Sequence, residues 1–560
     1  MDRWHRALGI ALRDEPADLI LKNARVVNVF TCEIQEASVA IADGVIVGVG
    51  DYSEASEVID LAGSYLAPSF IDGHIHTESS LLWLPEFARA VVPRGTGAVV
   101  TDPHEIVNVA GLAGFQAMLD AAAGLPLGVH FTVPSCVPAS PMETAGAEMT
   151  TEAIQEALAY AGTAGLGEMM NFPGVLAGDP DIYQRIRAAN GRRRDGHAPG
   201  LRGRSLDAYI LSGMTSDHES TQLDEAREKL ERGMMLMIRE GSTEHNLHDL
   251  LPLVNDNTFP RCCFASDDRD CLMLLTQGHM DETLRRAVRA GLDPIRAIRM
   301  ATFNTADYWR LEGVGAVAPG YAADLVILRD LESFECELVL YHGAVVARGG
   351  EPAFITESVI PDALRDTVHI APLSASDIRL DPADARRAVG AVDGQIVTRL
   401  VEVEPRVESG EAVPDLERDL LKLVCVERHR ATGNVGVGYI QGFGLRRGAL
   451  ASSIAHDAHN IVAVGTNDGD ILAAIEAVAE MQGGLAAVAD GEVIDRLPLP
   501  VAGILSDRPL AETAEAYERI EYHARELGAQ LKSPFGLLAF MALSVIPEAR
   551  VTDQGFVALV

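Results

Sequence analysis

Two histidines separated by one residue are the first side chains of this sequence with the potential for chemistry. His74 and His76 lie in the run PSFIDGHIHTESS, whose first half has the apolar character of a buried strand. Side chains two residues apart point to the same side of a strand, so both imidazoles can hold one divalent cation. The pair alone fits two ordinary surface histidines equally well.

Further residues of ligand type follow other strand-like runs in the same part of the chain. They are Glu168 in GLGEMMN, His197 in DGHAPG, His218 in GMTSDHES, and Asp267 in RCCFASDD. Together with the first pair they make a set of imidazoles and carboxylates that can hold two divalent cations, with a carboxylate between them. A chance placement of all six at strand ends is a much weaker explanation.

The elements that must position these residues form a repeated pattern of strand, loop and helix over residues 66–312. Eight apolar runs there each end in a polar cluster: PSFIDGHIHTESS, GAVVTDPHE, GVHFTVPSC, GLGEMMN, DGHAPG, GMTSDHES, MMLMIREGS and RCCFASDD. The pattern predicts a (β/α)8 TIM-type barrel of the α/β class, whose active site lies at the carboxyl ends of the strands. A doubly wound open sheet is the alternative, but no GxGxxG or Walker motif supports it.

The flanking segments differ in character from this middle part. Residues 1–65 and 313–350 contain short strand-like runs separated by turns, which predicts one small β-sandwich built from both segments. Residues 351–390 are rich in Pro, Asp and Ala and are predicted to be a linker. Residues 391–560 are predicted to form an additional C-terminal α+β domain.

Composition excludes several classes of partner and compartment. The 560 residues carry 46 Lys and Arg against 81 Asp and Glu, a formal charge of −35, which argues against binding to nucleic acid or an anionic membrane. The seven cysteines show no CxxC spacing, so reduced thiols are expected. Because neither a secretory signal nor a transmembrane run is recognisable, we expect a cytoplasmic protein.

The order of ligand types along the strands resembles the amidohydrolase superfamily: His-x-His on strand one, an acid on strand four, histidines on strands five and six, and Asp on strand eight. Within it, the chain resembles the bacterial adenine deaminases nearly from end to end. The motifs that carry the likeness are PSFIDGHIHTESS, TDPHE, VPSCVPASPMETAGA, GEMMNFPGV, DGHAPG, SDHES, ERHRATGNVGVGYIQGFGLRRGALASSIAHDAHNIVAVGTND and LPLPVAGILSD. One departure follows Asp268, where Arg269-Asp270-Cys271 replaces the Arg-His-Pro common in the family.

The resemblance implies hydrolytic deamination of adenine to hypoxanthine and ammonia by a homodimer that uses water and two divalent metal ions per subunit. The cation expected is Mn²⁺, with Fe²⁺ or Zn²⁺ as alternatives. The assignment that follows places the first cation on His74, His76 and Asp267, the second on His197 and His218, and Glu168 between them.

Lysine usage bears on the bridging ligand. Related ring-amide hydrolases commonly bridge their metals with a carboxylated lysine on strand four. This chain has no lysine between Lys22 and Lys229, which leaves Glu168 as the bridging group and favours a deaminase over a dihydroorotase-like enzyme.

Other residues receive candidate roles at the same site. Asp267 is predicted to accept a proton from the attacking water, and His104 either polarises the substrate or has a structural role. Glu78 and Glu105 are candidate substrate-binding residues, with helix capping as the alternative for Glu78. Glu219 is expected to fix the ring tautomer of His218.

Three questions stay open at this level. The C-terminal cluster, defined as His429, His456, Asp457 and His459, fits closure of the active site, a packed polar core or a separate metal site. The run Arg192-Arg193-Arg194 fits a phosphate clamp or a solvated helix end. The activity itself has two alternatives, namely action on another heterocycle, such as a modified purine or cyclic amide, or a non-enzymatic scaffold.

Overall fold

A helix and five strands form the amino-terminal part of the computed structural model, which describes residues 3–13, 15–242 and 244–558. The elements are α1 (Arg3–Arg13), β1 (Ala17–Asn28), β2 (Glu33–Ala42), β3 (Val45–Gly50), β4 (Ala55–Asp60) and β5 (Tyr65–Pro68). β2 and β3 are joined by Asp43 and Gly44, whose positive φ angles of 52° and 75° suit a tight hairpin turn.

The middle part contains a strand in each of the eight predicted runs. These are β6 (Phe70–His76), β7 (Thr96–Thr101), β8 (Gly128–Val133), β9 (Thr163–Met169), β10 (Arg193–Gly196), β11 (Ser216–Asp217), β12 (Met235–Arg239), β13 (Cys262–Ala265) and β14 (Asp267–Asp268). All pair in parallel, in two sheets ordered β10-β9-β8-β7-β6-β14 and β11-β12-β13. Only Ser266 separates β13 from β14, so the last run returns beside the first, and the six-stranded sheet forms half of a barrel.

Parallel strands require long crossovers, and helices supply them here. The helices between the strands are α2 (Leu84–Val91), α3 (His104–Ala122), α4 (Thr151–Leu158), α5 (Phe172–Ala177), α6 (Pro180–Ala188), α7 (Gly203–Leu211), α8 (Leu223–Glu231) and α9 (Leu247–Leu250). Four more helices follow β14, namely α10 (Cys271–Thr276), α11 (Met280–Arg289), α12 (Pro294–Met300) and α13 (Phe303–Trp309). Every residue of β6 and β7 is buried, as expected for strands covered on both faces. Within the described ranges, no helix has the length and apolarity to cross a membrane.

The second flanking segment completes the first sheet. Its strands are β15 (Leu325–Leu328), β16 (Cys336–Tyr341), β17 (Ala344–Arg348) and β18 (Glu351–Pro352). β15 pairs with β5, so both flanks share one nine-stranded sheet. The sheet curls so that the turn between β2 and β3 reaches the residues just before β15, where the N–H of Ala323 donates to the Gly44 carbonyl at 2.9 Å.

The carboxyl-terminal part is built on a second large sheet. Its elements are β19 (Arg387–Gly390), β20 (Arg399–Glu402), β21 (Arg406–Glu408), β22 (Glu411–Val413), β23 (Leu420–Val426), β24 (Val435–Gln441), β25 (Ala449–Ser452), β26 (Ile461–Gly465), α14 (Asp468–Glu480), β27 (Gly484–Ala489), β28 (Glu492–Pro498), α15 (Leu510–Glu526), α16 (Pro534–Ala539), β29 (Ala549–Thr552) and β30 (Gly555–Ala558). Eight strands follow the order β20-β19-β24-β23-β26-β25-β27-β28.

The segment predicted as a linker, 351–390, differs from that expectation at both ends. Its first residues form β18, and its last four form β19, which pairs with β24. Ala388 and Val389 are fully buried in that pairing, an apolar signal too short to stand out in a segment rich in Pro and Asp. Residues 353–386 contain one 3-10 turn, at Asp362–Leu364, and no strand or α-helix.

Candidate metal centre

The six predicted ligands meet at the carboxyl ends of the parallel strands. We call this group the strand-end cluster: His74, His76, Glu168, His197, His218 and Asp267. Each follows or ends a parallel strand, from β6 to β14, and all six are buried, with His197 the most exposed at 9%. The (β/α) arrangement brings them together because parallel strands of one sheet end at the same edge.

Glu168 lies in the middle of the cluster and faces two pairs of rings. Its Oε1 is 3.3 Å from Nε2 of His76 and 3.5 Å from Nδ1 of His104. Its Oε2 is 2.5 Å from Nδ1 of His197 and 3.2 Å from Nε2 of His218. One oxygen toward each pair is the arrangement that a carboxylate between two cations requires.

His74, His76 and Asp267 form the other half of the cluster. The two Nε2 atoms are 3.2 Å apart, and Oδ1 of Asp267 lies 3.4 Å from the first and 3.2 Å from the second. The ring of His74 also stacks on that of His218, with centroids 4.0 Å apart. Three ligand atoms of suitable chemistry thus converge on one point.

The outer nitrogens of the first two histidines are held by hydrogen bonds. Nδ1 of His74 donates to Oδ2 of Asp195 at 2.7 Å, and Nδ1 of His76 donates to the Asp102 carbonyl at 2.9 Å. Each bond places the proton on Nδ1 and leaves the Nε2 lone pair directed into the cluster. Sequence reasoning missed Asp195, although it lies two residues before His197 in a motif already singled out.

Arg239 is a second residue that the sequence analysis missed. It ends β12, and its Nη1 donates to Oδ2 of Asp267 at 2.8 Å and to Oε1 of Glu219. Burial alone would raise the pKa of Asp267, but the Arg239 charge and the neighbouring histidines hold that pKa well below its usual range. Asp267 is therefore an anion in the folded protein.

The expectation that Glu219 fixes the tautomer of His218 is wrong. Oε1 of Glu219 is 3.7 Å from Nε2 of His218, too far for a hydrogen bond, and it pairs with Arg239 instead. Glu219 lies beyond the end of β11 (Ser216–Asp217), and its carboxylate pairs with Arg239 at the end of β12.

The cluster fits divalent cations by the chemistry of its donors. Burial lowers the pKa of His74 and His76, but the surrounding carboxylates outweigh it and hold both pKa values well above normal, so positive charge is favoured here. Burial raises the pKa of Glu168, but His197 and hydrogen bonds from three rings hold it well below normal. The buried Nδ1 atoms of His104 and His218 have no hydrogen-bond partner among the described residues. Such a mixed set of imidazole and carboxylate donors suits Mn²⁺, Fe²⁺ or Zn²⁺.

A cavity of about 110 Å³ lies beside the cluster and is lined by Asp268, the neighbour of Asp267, although none of the six cluster residues lines it. Both predicted substrate-binding residues line it, together with side chains of the carboxyl-terminal part: Glu78, Ser79, Glu105, Asp268, Ile454, His456 and Phe540. Oε1 of Glu78 also accepts the N–H of Ile106 in the first turn of α3 at 3.3 Å, so the capping contact is present as well. Burial and the nearby Glu105 raise the pKa of Glu78 to about 7.

The C-terminal cluster lies directly over the strand ends. Oδ1 of Asp457 is 3.7 Å from Nε2 of His104. Glu105 faces two histidines, with Oε1 3.3 Å from Nδ1 of His456 and Oε2 3.6 Å from Nε2 of His459. Of the three interpretations left open by the sequence, these contacts favour closure of the site.

The protonation of His459 argues against a further metal site in this cluster. Its Nδ1 accepts the N–H of Ala455 at 3.3 Å, so the neutral ring carries its proton on Nε2. Burial and the adjacent His456 hold the pKa of His459 well below its usual value, so the ring is neutral. An Nε2–H group faces Glu105 as a donor and has no lone pair to offer a cation.

The run Arg192-Arg193-Arg194 lies away from the metal centre. It enters β10 at the opposite end from His197. Arg192 donates to the carbonyls of Thr163 and Leu158, and Arg193 to that of Tyr308. These contacts do not support a phosphate clamp at the substrate cavity.

Comparisons with known proteins agree with this geometry. Residues 65–350 match the family described as "Amidohydrolase family", and residues 395–560 match "Adenine deaminase C-terminal domain". A protein of Dehalococcoides mccartyi named "Adenine deaminase" is 50% identical over 549 residues, which cover 98% of this chain and 96% of that protein. The chain belongs to the adenine deaminase family.

Further relatives in this family match at similar length. "Adenine deaminase 2" of Carboxydothermus hydrogenoformans is 46% identical over 98% of this chain and 96% of its own. "Adenine deaminase" of Oleidesulfovibrio alaskensis is 46% identical with the same coverage. Among solved structures, an L-hydantoinase from Arthrobacter aurescens covers 61% of this chain and 98% of its own at 16% identity, with a TM-score of 0.45, too low to carry an argument.

Proposed function

We propose that this adenine deaminase family member hydrolyses adenine to hypoxanthine and ammonia. The observation that carries the proposal is the position of Glu168, whose two oxygens face separate histidine pairs close to a cavity. Relatives that carry the name adenine deaminase align with 98% of the chain, so the cavity and the cluster both lie within the shared region.

Two divalent cations, with Mn²⁺ as the expected metal, would be held by the six residues of the strand-end cluster. His74, His76 and Asp267 would hold one, His197 and His218 the other, and Glu168 would lie between them. When bound, they supply the Lewis acidity that brings the pKa of an attacking water close to 7.

Protein side chains would then handle the protons and the orientation of the base. Hydrolysis joins the water oxygen to C6 of adenine and releases the amino group as ammonia. Asp267, kept anionic and oriented by Arg239, would accept the proton that the water loses. Glu78 and Glu105 line the cavity and would hydrogen-bond to ring nitrogens, while His104 would polarise the reacting centre.

The carboxyl-terminal part would supply the flat wall of the substrate cavity. The rings of His456 and Phe540 are stacked, with centroids 4.5 Å apart and an interplanar angle of 11°. A planar heterocycle gains favourable contact from such aromatic surface, and closing the cavity would exclude bulk water other than the attacking molecule.

The finer organisation of the molecule is part of the same proposal. We propose a closed (β/α)8 barrel over residues 66–312, a β-sandwich from 1–65 and 313–350, and a carboxyl-terminal domain at 391–560. The linker is limited to the part of 351–390 that lies between β18 and β19. The parallel pairing of β14 with β6 supports the barrel, and the curled nine-stranded sheet supports the sandwich. A cytoplasmic homodimer acting in purine salvage completes the proposal.

The decisive experiment incubates the metal-loaded protein with adenine and follows ammonia and hypoxanthine together. Release of both in equal amounts supports the proposal. Turnover of a cyclic amide but not of adenine would identify another heterocycle as substrate. If two cations are bound and no heterocycle reacts, the chain is a scaffold rather than an enzyme.

A further inference from the structure

Lys229 is a fully buried lysine that the proposed mechanism does not use. It belongs to α8, outside the parallel strands, and only 1% of its surface is exposed. It is also the only lysine between Lys22 and Lys422. Burying an ammonium group costs folding free energy unless each of its protons is hydrogen-bonded and its charge is paired. The partners of Lys229 therefore identify the segments that it connects.

All three protons of this ammonium have an acceptor. Nζ lies 2.7 Å from the carbonyl oxygen of Ala198, 2.7 Å from Oε1 of Glu225 and 2.9 Å from Oδ2 of Asp217. Glu225 lies one turn earlier on α8, whereas Ala198 and Asp217 belong to two different strand ends. The amine therefore joins three separate points of the chain.

Two of those points adjoin proposed metal ligands. Ala198 follows His197 directly, and Asp217 directly precedes His218. The two carboxylates reinforce the link, because Oδ1 of Asp217 accepts the N–H of Ala198 at 3.1 Å and Oε1 of Glu225 accepts the N–H of Gly200 at 2.8 Å. The loop after β10 and the end of β11 are thus tied to one another by Lys229 together with direct hydrogen bonds, in which Asp217 accepts the N–H of Ala198 and Ser216 accepts that of Gly196.

The other histidine pair needs no such tie. His74 and His76 lie on one strand, β6, so their spacing follows from the backbone itself. His197 and His218 come from different strands, and no continuous strand ladder joins β10 to β11. Their spacing depends on side-chain contacts.

We propose that Lys229 is a positioning residue that sets the separation of His197 and His218, and through it the affinity for one of the two cations. The inference rests on the dinuclear centre proposed above. It requires no contact between Lys229 and the substrate or the metals. Partners that orient metal ligands in this way typically change metal affinity by about 10- to 100-fold when removed.

The test compares Lys229→Met with Lys422→Met by titrating the apoprotein with Mn²⁺ and with Co²⁺. Lys422 is a matched control, since it is 2% exposed and its Nζ contacts one carbonyl, of Ile378 at 3.0 Å, and one carboxylate, of Asp468. We expect Lys229→Met to weaken one of the two binding steps by about 10- to 100-fold, with the other unchanged. Lys422→Met should retain both steps, and the Co²⁺ absorption should change only in the Lys229 variant.

Several results would overturn the inference. If the Lys229→Met protein folds and binds both cations as tightly as the wild type, Lys229 has no positioning role. The same conclusion follows if both lysine variants weaken both binding steps equally. If Lys229→Met does not fold, Glu225→Gln decides, because it keeps the amine and should weaken the same single step to a smaller extent. An unchanged Glu225→Gln titration would then contradict the proposal.

These readouts separate the inference from the proposed activity. If Lys229→Met loses one metal-binding step and the wild-type protein does not deaminate adenine, the proposed substrate is wrong but the role of Lys229 stands. A wild-type chain that takes up fewer than two cations would overturn the dinuclear centre and this inference together.

Discussion

The strand-end cluster and the C-terminal cluster contain the same residue types, but their chemistry differs. In the first, Nδ1 of His74 and of His76 is bonded outward, so the remaining nitrogens face one another and the carboxylates. In the second, Nε2 of His429 donates to the Ala458 carbonyl at 2.7 Å, whereas Nδ1 of His459 accepts the N–H of Ala455, so the remaining nitrogen of His459 carries a proton instead of a lone pair.

The histidine pKa values also differ between the two clusters. Burial lowers the pKa of His74 and His76 in one cluster and of His429 and His459 in the other, but the carboxylates of the strand-end cluster reverse that effect for His74 and His76. Carboxylates do not outweigh burial in the C-terminal cluster. There, burial and the adjacent Arg428 lower the pKa of His429 to about 3. A group of histidines becomes a cation site only where carboxylates surround the ring nitrogens that the backbone leaves available.

The largest effect is expected from Glu168→Gln, which removes the negative charge between the histidine pairs. Activity should fall by at least about 100-fold, since even residues one step removed from a metal cost 10- to 100-fold. Metal analysis of the purified variant should find fewer than two cations per chain. An unchanged metal content and rate would remove Glu168 from the bridging position.

His459→Asn tests whether the C-terminal cluster acts through a proton donor and not as a metal site. Asn can still accept the Ala455 N–H and tolerates the positive φ of 55° at this position, but it lacks the donor that faces Glu105. Removing the Nε2–H that faces the Glu105 carboxylate at 3.6 Å should lower kcat/KM for adenine by about 10-fold, which corresponds to roughly 1.4 kcal/mol.

Metal content distinguishes the two clusters in that experiment. The His459→Asn protein should retain both cations, because His459 donates a proton rather than a lone pair. His429→Gln, which preserves the donor to Ala458, serves as the control and should keep normal kinetics. Loss of a cation on changing His459 would make the C-terminal cluster a metal site.

Phe540→Ala should have a smaller effect, confined to substrate binding. Removing the aromatic wall should raise KM for adenine by about 3- to 10-fold, because an aromatic pair contributes about 0.5–1.5 kcal/mol beyond its buried area. Phe556→Ala, in β30, provides a control outside the cavity. Equal effects of the two substitutions on kcat and KM would place Phe540 outside the substrate cavity.

The smallest effect concerns acid stability. His429 has a folded pKa of about 3, below the ordinary value of about 6.5, so the unfolded chain binds a proton that the folded protein excludes between those pH values. Stability from this group is complete above pH 6.5 and falls as the pH drops, by at most about 1.4 kcal/mol per pH unit. The urea midpoint measured at pH 7.0 and 5.5 should fall less in His429→Gln than in the wild type. An identical decrease would show that His429 does not titrate on unfolding.

Much of the strand-end cluster could be predicted because its signal is local. The two side chains of His74-x-His76 point the same way because of the two-residue period of a strand, and each of the other ligands lies at the end of one of the strand-like runs. Arg239 and Asp195 were missed for a related reason. Each is a polar residue at a strand end, and only the neighbouring strand shows whether such a residue meets a ligand.

Contacts between residues that are distant in sequence also explain the errors at element boundaries and at Glu219. β19 was placed in a linker because its four residues acquire strand character only by pairing with β24. Glu219 was assigned to the adjacent His218, whereas its partner Arg239 lies on a different strand. In both cases the deciding contact is remote in sequence.

The amino-acid sequence by itself determined which residues can serve as ligands and that no lysine between Lys22 and Lys229 can replace Glu168. Only the tertiary structure decided which ring nitrogens are free, that Lys229 ties two strand ends, and that His456 and His459 lie over Glu105. The physical reason is that residue type and local period are properties of short segments. The direction of a lone pair depends instead on hydrogen bonds to groups that only folding brings within reach.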